Sequence, residues 1–420
     1  MNIRPGLNIN IIVNIDHMRE TVDVGNSIIH EVAGDRMIVA QISPFYVMEI
    51  LEKARMMEAE GHRVIHMEVG EPGIETPAAI KQAALRALAD GKTFYTHSLG
   101  IPELRETVSR HYRDQSDIHI SPERIIITNG SSGAFILLFA ALLEEGRTLA
   151  VSDPGYPCYR NIALLTECTV RPLPVSAETN YEVLPEQLDG SPPPDLLVLA
   201  NPSNPTGTIY RAGALRALHE RLSSWGGVLV VDEIYSSLLY DAPFSSSASL
   251  SEDVIVVSGF SKAFAMTGWR LGWMVVPPAL VRPIQKLAQN LFIAPPSISQ
   301  YAALGAFDDA DGLARMRDLY RERRDFLLPR LRGLGFDLPV KPDGAFYIYA
   351  GIERFRMDSM AFVERALVEA KVAITPGYDF GLFGAASHVR FSYADKIENL
   401  VEGCDRLERW LEGIRPCEAG

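Results

Sequence analysis

Five short apolar runs, each passing directly into a polar or glycine-rich cluster, constrain this chain more than any other feature. Ile125–Thr128 leads into Asn129-Gly130-Ser131-Ser132-Gly133, and Leu149–Ser152 into Asp153-Pro154-Gly155-Tyr156. Leu196–Ala200 leads into Asn201-Pro202-Ser203-Asn204-Pro205-Thr206-Gly207, and Val228–Val231 into Asp232-Glu233-Ile234-Tyr235. Val254–Val257 leads into a turn that carries Lys262 and, eight residues later, Arg270. Helical patterns lie among these runs, at about 134–143, 159–165 and 212–222. Apolar strands alternating with helices predict an α/β fold with a mostly parallel central sheet covered on both faces. Ligands bind at the carboxyl ends of strands in such a sheet, so the five clusters are expected to converge on one crevice.

The flanking segments read as a smaller α+β domain. Val47, Ile50, Leu51 and Ala54 at helical spacing predict a helix from Ser43-Pro44-Phe45 to about Glu60. A strand is expected at 64–69, and helices at 76–90 and 102–115. A long helical stretch at 297–333, interrupted near 308–312, leads out of the large sheet. Strands then follow at 344–349, 372–375 and 389–393, with helices at 359–370 and 399–411. This gives an extension over 1–36, a small domain from 37–74 and 317–412, and a large domain over 75–316. Asn8–Ile15 alternates in part and reads equally as a strand, an arm on a partner or a loose extension.

Composition narrows the function classes. The chain has 420 residues, 47% of them hydrophobic, enough for one large core and a smaller one. A formal net charge of −13 without a long basic run argues against a nucleic-acid partner. Cys158, Cys168, Cys404 and Cys417 form no C-x-x-C pair. Neither a disulfide framework nor a metal site is expected, and a reducing cytoplasm suits them. No apolar run approaches ~18 residues, so no membrane span is expected. The amino-terminal stretch also lacks the apolar core of a signal peptide.

The chemistry lies in the clusters. A lysine on a buried turn is held partly neutral by desolvation, and a neutral amine attacks a carbonyl to form a Schiff base. Arg270 offers a planar fork of donors to a phosphate. Gly130–Gly133 before a helix, with the hydroxyls of Ser131 and Ser132, offers a second set. An aldehyde and a phosphate are the two handles of pyridoxal phosphate. Asp232, ending an apolar strand, needs a partner: a protonated pyridine nitrogen, or the first N–H groups of the next helix, which it would cap. Tyr235 either donates to a ring oxygen of the same ligand or packs half-buried. Asn204 serves its turn or reaches that oxygen with its amide. Tyr156 stacks on a flat ring or fills the core. Arg390, within an apolar strand, calls for an internal acid or a substrate carboxylate.

In this order the clusters resemble the class I/II aminotransferases of the fold type I pyridoxal-phosphate superfamily, from about Ile42 to Leu411. The lysine motif, Asn-Pro-Thr-Gly at 204–207 and Asp-x-x-Tyr at 232–235 are specific jointly. Ile42-Ser43-Pro44-Phe45 and Val69-Gly70-Glu71-Pro72 are similar to the family's amino-terminal part. The resemblance implies transfer of an α-amino group from an L-amino acid to a 2-oxo acid. It implies Lys262 as the lysine of the internal aldimine and the proton carrier. Asp232 then partners the ring nitrogen, Asn204 and Tyr235 the ring oxygen, and Tyr156 the ring face. Ser131, Ser132 and Arg270 match phosphate ligands. Arg390 matches the arginine for the substrate α-carboxylate, and Gly70 a backbone contact to it. Tyr95 resembles the tyrosine that reaches the phosphate in the neighbouring subunit, which implies a homodimer with shared sites. Gly259 departs from the family's frequent serine, leaving open whether Ser258 or Ser261 supplies a hydroxyl. Tyr156 stands where some members have tryptophan. Nearly the same residues also serve C–S lyases of this fold. A regulator built on it would need a DNA-binding module, for which 36 residues are too few. Side-chain specificity is expected from the segments around Phe45, Tyr95 and Asn290–Ser297.

Overall fold

The computed structural model describes residues 41–414 apart from 242–244 and 308–309. The extension read over 1–36 lies outside these residues, as does Cys417. Helix α1 (Tyr46–Ala59) buries Val47, Ile50, Leu51 and Ala54, the apolar stripe its spacing predicts. The strand expected at 64–69 shrinks to β1 (Ile65–His66). Helices α2 (Ala78–Ala89) and α3 (Pro102–Ser116) then lead to the large sheet.

That sheet holds β2 (Ile125–Thr128), β3 (Thr148–Asp153), β4 (Thr169–Pro174), β5 (Leu196–Ala200), β6 (Val228–Asp232), β7 (Ile255–Gly259) and β8 (Gly272–Val275). Their spatial order is β2-β8-β7-β6-β5-β3-β4. Every pairing is parallel except those of β8, which runs antiparallel to β2 and β7. The apolar runs conceal a period of two. Leu197, Leu199, Leu229 and Val231 enter one core, while Leu196, Val198, Val230 and Ile255 enter the core on the other face. Burying each such side chain is worth roughly 1.5–3 kcal/mol, so both faces must stay covered. β4 escaped the strand pattern because Pro172 and Pro174 interrupt it; at the sheet edge their missing N–H groups cost little.

Helix α4 (Gly130–Leu142) follows β2, and α5 (Pro157–Ala163) follows β3. α4 begins four residues earlier than its apolar pattern indicates. Gly130-Ser131-Ser132-Gly133 therefore form its first turn rather than a loop before it. α6 (Ala212–Ser223), α7 (Pro278–Leu291), α8 (Ser297–Ala303) and α9 (Ala310–Leu334) continue the chain. Beyond them lie β9 (Tyr347–Gly351), α10 (Ser359–Arg365), β10 (Val372–Ala373), β11 (Thr375–Pro376), β12 (His388–Ser392) and α11 (Ile397–Ile414). β1 pairs in parallel with β10, joining the early segment to the late one. β11, β12 and β9 form an antiparallel sheet in which Thr375 stands opposite Arg390. Residues from Pro44 onward make one compact unit. No helix among the described residues is long and apolar enough to cross a membrane.

Candidate active site

The carboxyl ends of β2, β3, β5, β6 and β7 open on a cavity of about 550 Å³. Lys262, Arg270, Asp232, Tyr235, Asn204 and Tyr156 line it, together with Ser131, Ser132, Gly70 and Arg390. Of the eleven residues to which the sequence assigns a role, Tyr95 alone stays off this wall; it is 79% exposed.

Lys262 is half-buried just beyond β7, and its Nζ donates to the Gly70 carbonyl at 2.6 Å. Burial, reinforced by the positive charges of Arg390 and Arg270, pushes its amine down to about 8. Glu71 and Asp232 act against that shift. Gly70 has to be glycine: a Cβ there would sit 2.0 Å from the Tyr347 hydroxyl oxygen.

Asp232 closes β6 and is 3% exposed. Burial raises its carboxyl to about 6, against the hydrogen bonds and the Lys262 charge that hold it down. Oδ2 accepts from the Tyr159 hydroxyl at 2.7 Å, and Oδ1 from the Ile234 N–H at 3.1 Å. The turn-capping and ligand readings of this carboxylate are thus compatible, because the N–H bond uses Oδ1 alone. Tyr159 was missed; its spacing of three from Tyr156, on the first turn of α5, was the available signal.

At the other end of the cavity, α4 points its first turn toward Arg270. Gly130 has φ +71°, and a Cβ on it would lie 2.8 Å from Arg270 Nη2. A Cβ on Gly272 would meet the Gly130 carbonyl carbon at 2.8 Å and the Ser131 nitrogen at 2.9 Å. The backbone approach is that close because neither residue has a side chain. Arg270 is itself left-handed, with φ 52°, and donates to the Thr267 carbonyl at 3.0 Å. Gly259 pairs with Gly272 across β7 and β8. Ser258 turns its hydroxyl to the Glu233 carbonyl at 3.3 Å, whereas Ser261 faces the cavity.

Arg390 lies on β12, 3% exposed. Its Nη1 donates to Asn204 Oδ1 at 2.9 Å, and its Nη2 to the Glu68 carbonyl and to Thr375 Oγ1. The rings of Tyr347 and Phe380 flank it at 4.2 and 4.8 Å. It forms no ion pair among the described residues, and its Nε has no hydrogen-bond partner there. The Asp379 carboxylate acts on this buried guanidinium without pairing with it, so donor capacity is left for an anionic ligand. Tyr347 also escaped the sequence reading; its hydroxyl lies 2.8 Å from that of Tyr235. Phe45, Met48, Leu51 and Ile234 add an apolar wall, with Arg55 further along α1.

Comparison with known proteins decides what this cavity belongs to. Residues 62–407 match the family model for aminotransferase class I and II. The valine–pyruvate aminotransferase of Mycobacterium tuberculosis is 38% identical over 380 residues, covering 89% of this chain and 97% of that protein. The chain belongs to the class I and II aminotransferases. The aspartate/prephenate aminotransferase of Thermus thermophilus is 35% identical, over 89% of this chain and 97% of its own. The crystal structure of an aminotransferase from M. tuberculosis superimposes with a TM-score of 0.86 at 37% identity, covering 89% of this chain and 98% of the other. This aminotransferase is accordingly a pyridoxal-phosphate-dependent enzyme of fold type I, moving an amino group from an amino acid to a 2-oxo acid. Its cavity fits the cofactor. The Gly130–Gly272 cradle with Arg270 suits a phosphate, Asp232 a pyridine nitrogen and Lys262 an aldehyde.

Proposed function

We propose that Lys262 is the amine that carries the cofactor of this aminotransferase and then moves the proton at the substrate Cα. The observation that carries this reading is one cavity with a lysine depressed to about 8 and a buried arginine that forms no ion pair among the described residues. Bound pyridoxal phosphate supplies an aldehyde carbon for an amine and an electron-withdrawing ring that acidifies the substrate Cα–H bond. Arg270, the α4 N–H groups, Ser131, Ser132 and Ser261 would hold the phosphate. Asp232, oriented by Tyr159, would keep the ring nitrogen protonated. Asn204 and Tyr235 would hold the ring oxygen, and Tyr156 would cover the ring. Arg390 receives the substrate α-carboxylate with Gly70 beside it, and the flanking Tyr347 and Phe380 rings exclude water from that pair. Near neutrality part of the Lys262 population is uncharged, as a base requires.

The enzyme acts as a homodimer in which Tyr95 reaches the neighbouring subunit's phosphate. Phe94 and Tyr95 are 81% and 79% exposed, and Leu291 and Ile293 add exposed apolar surface in a nearby segment, supporting a covered face. Residues 75–316 form the large cofactor domain, and 37–74 with 317–412 the small one; the β1–β10 pairing supports that division. Thiols at Cys158, Cys168 and Cys404 support a cytoplasmic enzyme.

The test is a screen of amino donors against 2-oxoglutarate, following both product and the pyridoxal-to-pyridoxamine spectral change. Lys262→Ala is expected to lose the cofactor's protein-linked absorbance band and the exchange. Normal exchange by that variant would sink the assignment. Product formed without any oxo acid would instead indicate lyase chemistry.

A further inference from the structure

We propose that Asp379 is a positioning residue, which fastens helix α1, one wall of the cavity, to the strand ends that carry the substrate and ring groups. The inference rests on the reading of this cavity as the aminotransferase site. α1 is entered through Phe45, which has no polar side chain to cap the first N–H groups. The acceptor comes from 333 residues away: the Tyr46 N–H donates to Asp379 Oδ1 at 2.8 Å. The Val47 N–H bonds the same carboxylate. A negative charge there also suits the positive end of the helix. Asp379 is 1% exposed, and its Oδ2 has no hydrogen-bond partner among the described residues.

The turn bearing Asp379 is itself riveted to the large sheet. Arg160 Nη2 donates to the Asp379 carbonyl, and the Gly155 N–H to the Phe380 carbonyl, each at 2.8 Å. The Leu382 and Phe383 N–H groups donate to the Asp153 carboxylate at the end of β3. The Phe380 ring lies against Arg390. α1 in turn presents Phe45, Met48 and Leu51 to the cavity. One carboxylate therefore ties the apolar wall to both Tyr156 and the substrate arginine. The charged or titratable groups facing it are Arg390 from β12 and Arg160 and Cys158 from α5; α1 contributes backbone N–H groups. Burial pushes Asp379 up to about 6, so it is ionised at pH 7.5 and loses its charge as pH falls through 6.

The experiment compares the cofactor-loaded wild type with Asp379→Asn and Asp379→Ala. It measures kcat and KM for an active donor, and calorimetric Kd for glutarate and 3-methylbutanoate, carboxylates without an amine. Asp379→Asn keeps an acceptor but loses the charge. Its KM and carboxylate Kd are expected to rise ~3–10-fold, the size of a lost charged cap, with kcat within about 2-fold and the cofactor band retained. Asp379→Ala is expected to show a larger rise. Below pH 6 the wild type acquires a KM rise of that size beyond any change seen in Asp379→Asn, since the Asp232 titration is common to both and cancels in the ratio. An Asn variant with wild-type KM and the same acid limb overturns the proposal. So does joint loss of kcat, KM and cofactor content in both variants. If the wild type exchanges no amino group, the transaminase reading fails, while the carboxylate Kd still reports on Asp379.

Discussion

Stripping the cofactor and reloading the apo-protein across pH interrogates the amine of Lys262 directly. Burial and two neighbouring arginines bring it from 10.5 to about 8. At pH 7.5 about a quarter of the Lys262 amines would then be neutral, against ~0.1% for an ordinary lysine. Because the neutral form is the nucleophile, uptake of pyridoxal phosphate at that pH is expected to run roughly 200-fold faster than for a free lysine side chain. Stopped-flow growth of the visible absorbance band between pH 6 and 10 is the assay, with a rate midpoint near 8. Arg390→Met removes one positive neighbour, so its midpoint is expected to move upward while Arg270 remains. A midpoint near 10 in the wild type, or none, would refute the argument that burial and the arginines depress this amine.

Tyr159→Phe deletes the hydroxyl that donates to Asp232 Oδ2. That bond holds the buried carboxyl down, so its loss raises Asp232 further above 6. A charged hydrogen bond of ~1.5–3 kcal/mol corresponds to a rise of about 1–2 units, so kcat is expected to be about 2–15-fold lower at pH 7 and to recover nearly fully at pH 9 in a pH–rate profile. Gly130→Ala forces a Cβ at φ +71° and toward Arg270. The backbone strain alone is ~1 kcal/mol, and cofactor Kd is expected to rise ~10-fold in an absorbance titration. His66 is raised to about 9, chiefly by its hydrogen bond to the buried Glu68 carboxylate and also by Glu58. A base raised in the folded state adds stability below pH 6.5 that is lost as pH rises through 9. We expect ~2 kcal/mol less urea stability at pH 9.5 than at pH 6, and His66→Gln to abolish that difference.

Much of the molecule was legible in the chain because strand ends in a parallel sheet are a local signal. Five apolar runs ending in polar clusters indicated both the sheet and the crevice, and ten of the eleven residues singled out line the cavity. The eight-residue step from Lys262 to Arg270 was informative for the same reason, since one turn spans it. What escaped was set by distance along the chain or by context. β8 is four residues whose partners, β2 and β7, define it as a strand. Tyr159 finds Asp232 73 residues away, across the sheet ends. Arg390 announced its need for an anion, yet only packing revealed that carbonyls, a hydroxyl and two rings contact it, with the Asp379 carboxylate near but not ion-paired to it. The start of α1 makes the contrast plainest. Its apolar spacing determined that a helix forms, but its sequence carries no cap. The tertiary structure supplies Asp379 from the far end of the chain, because a helix end must find acceptors wherever the fold brings them.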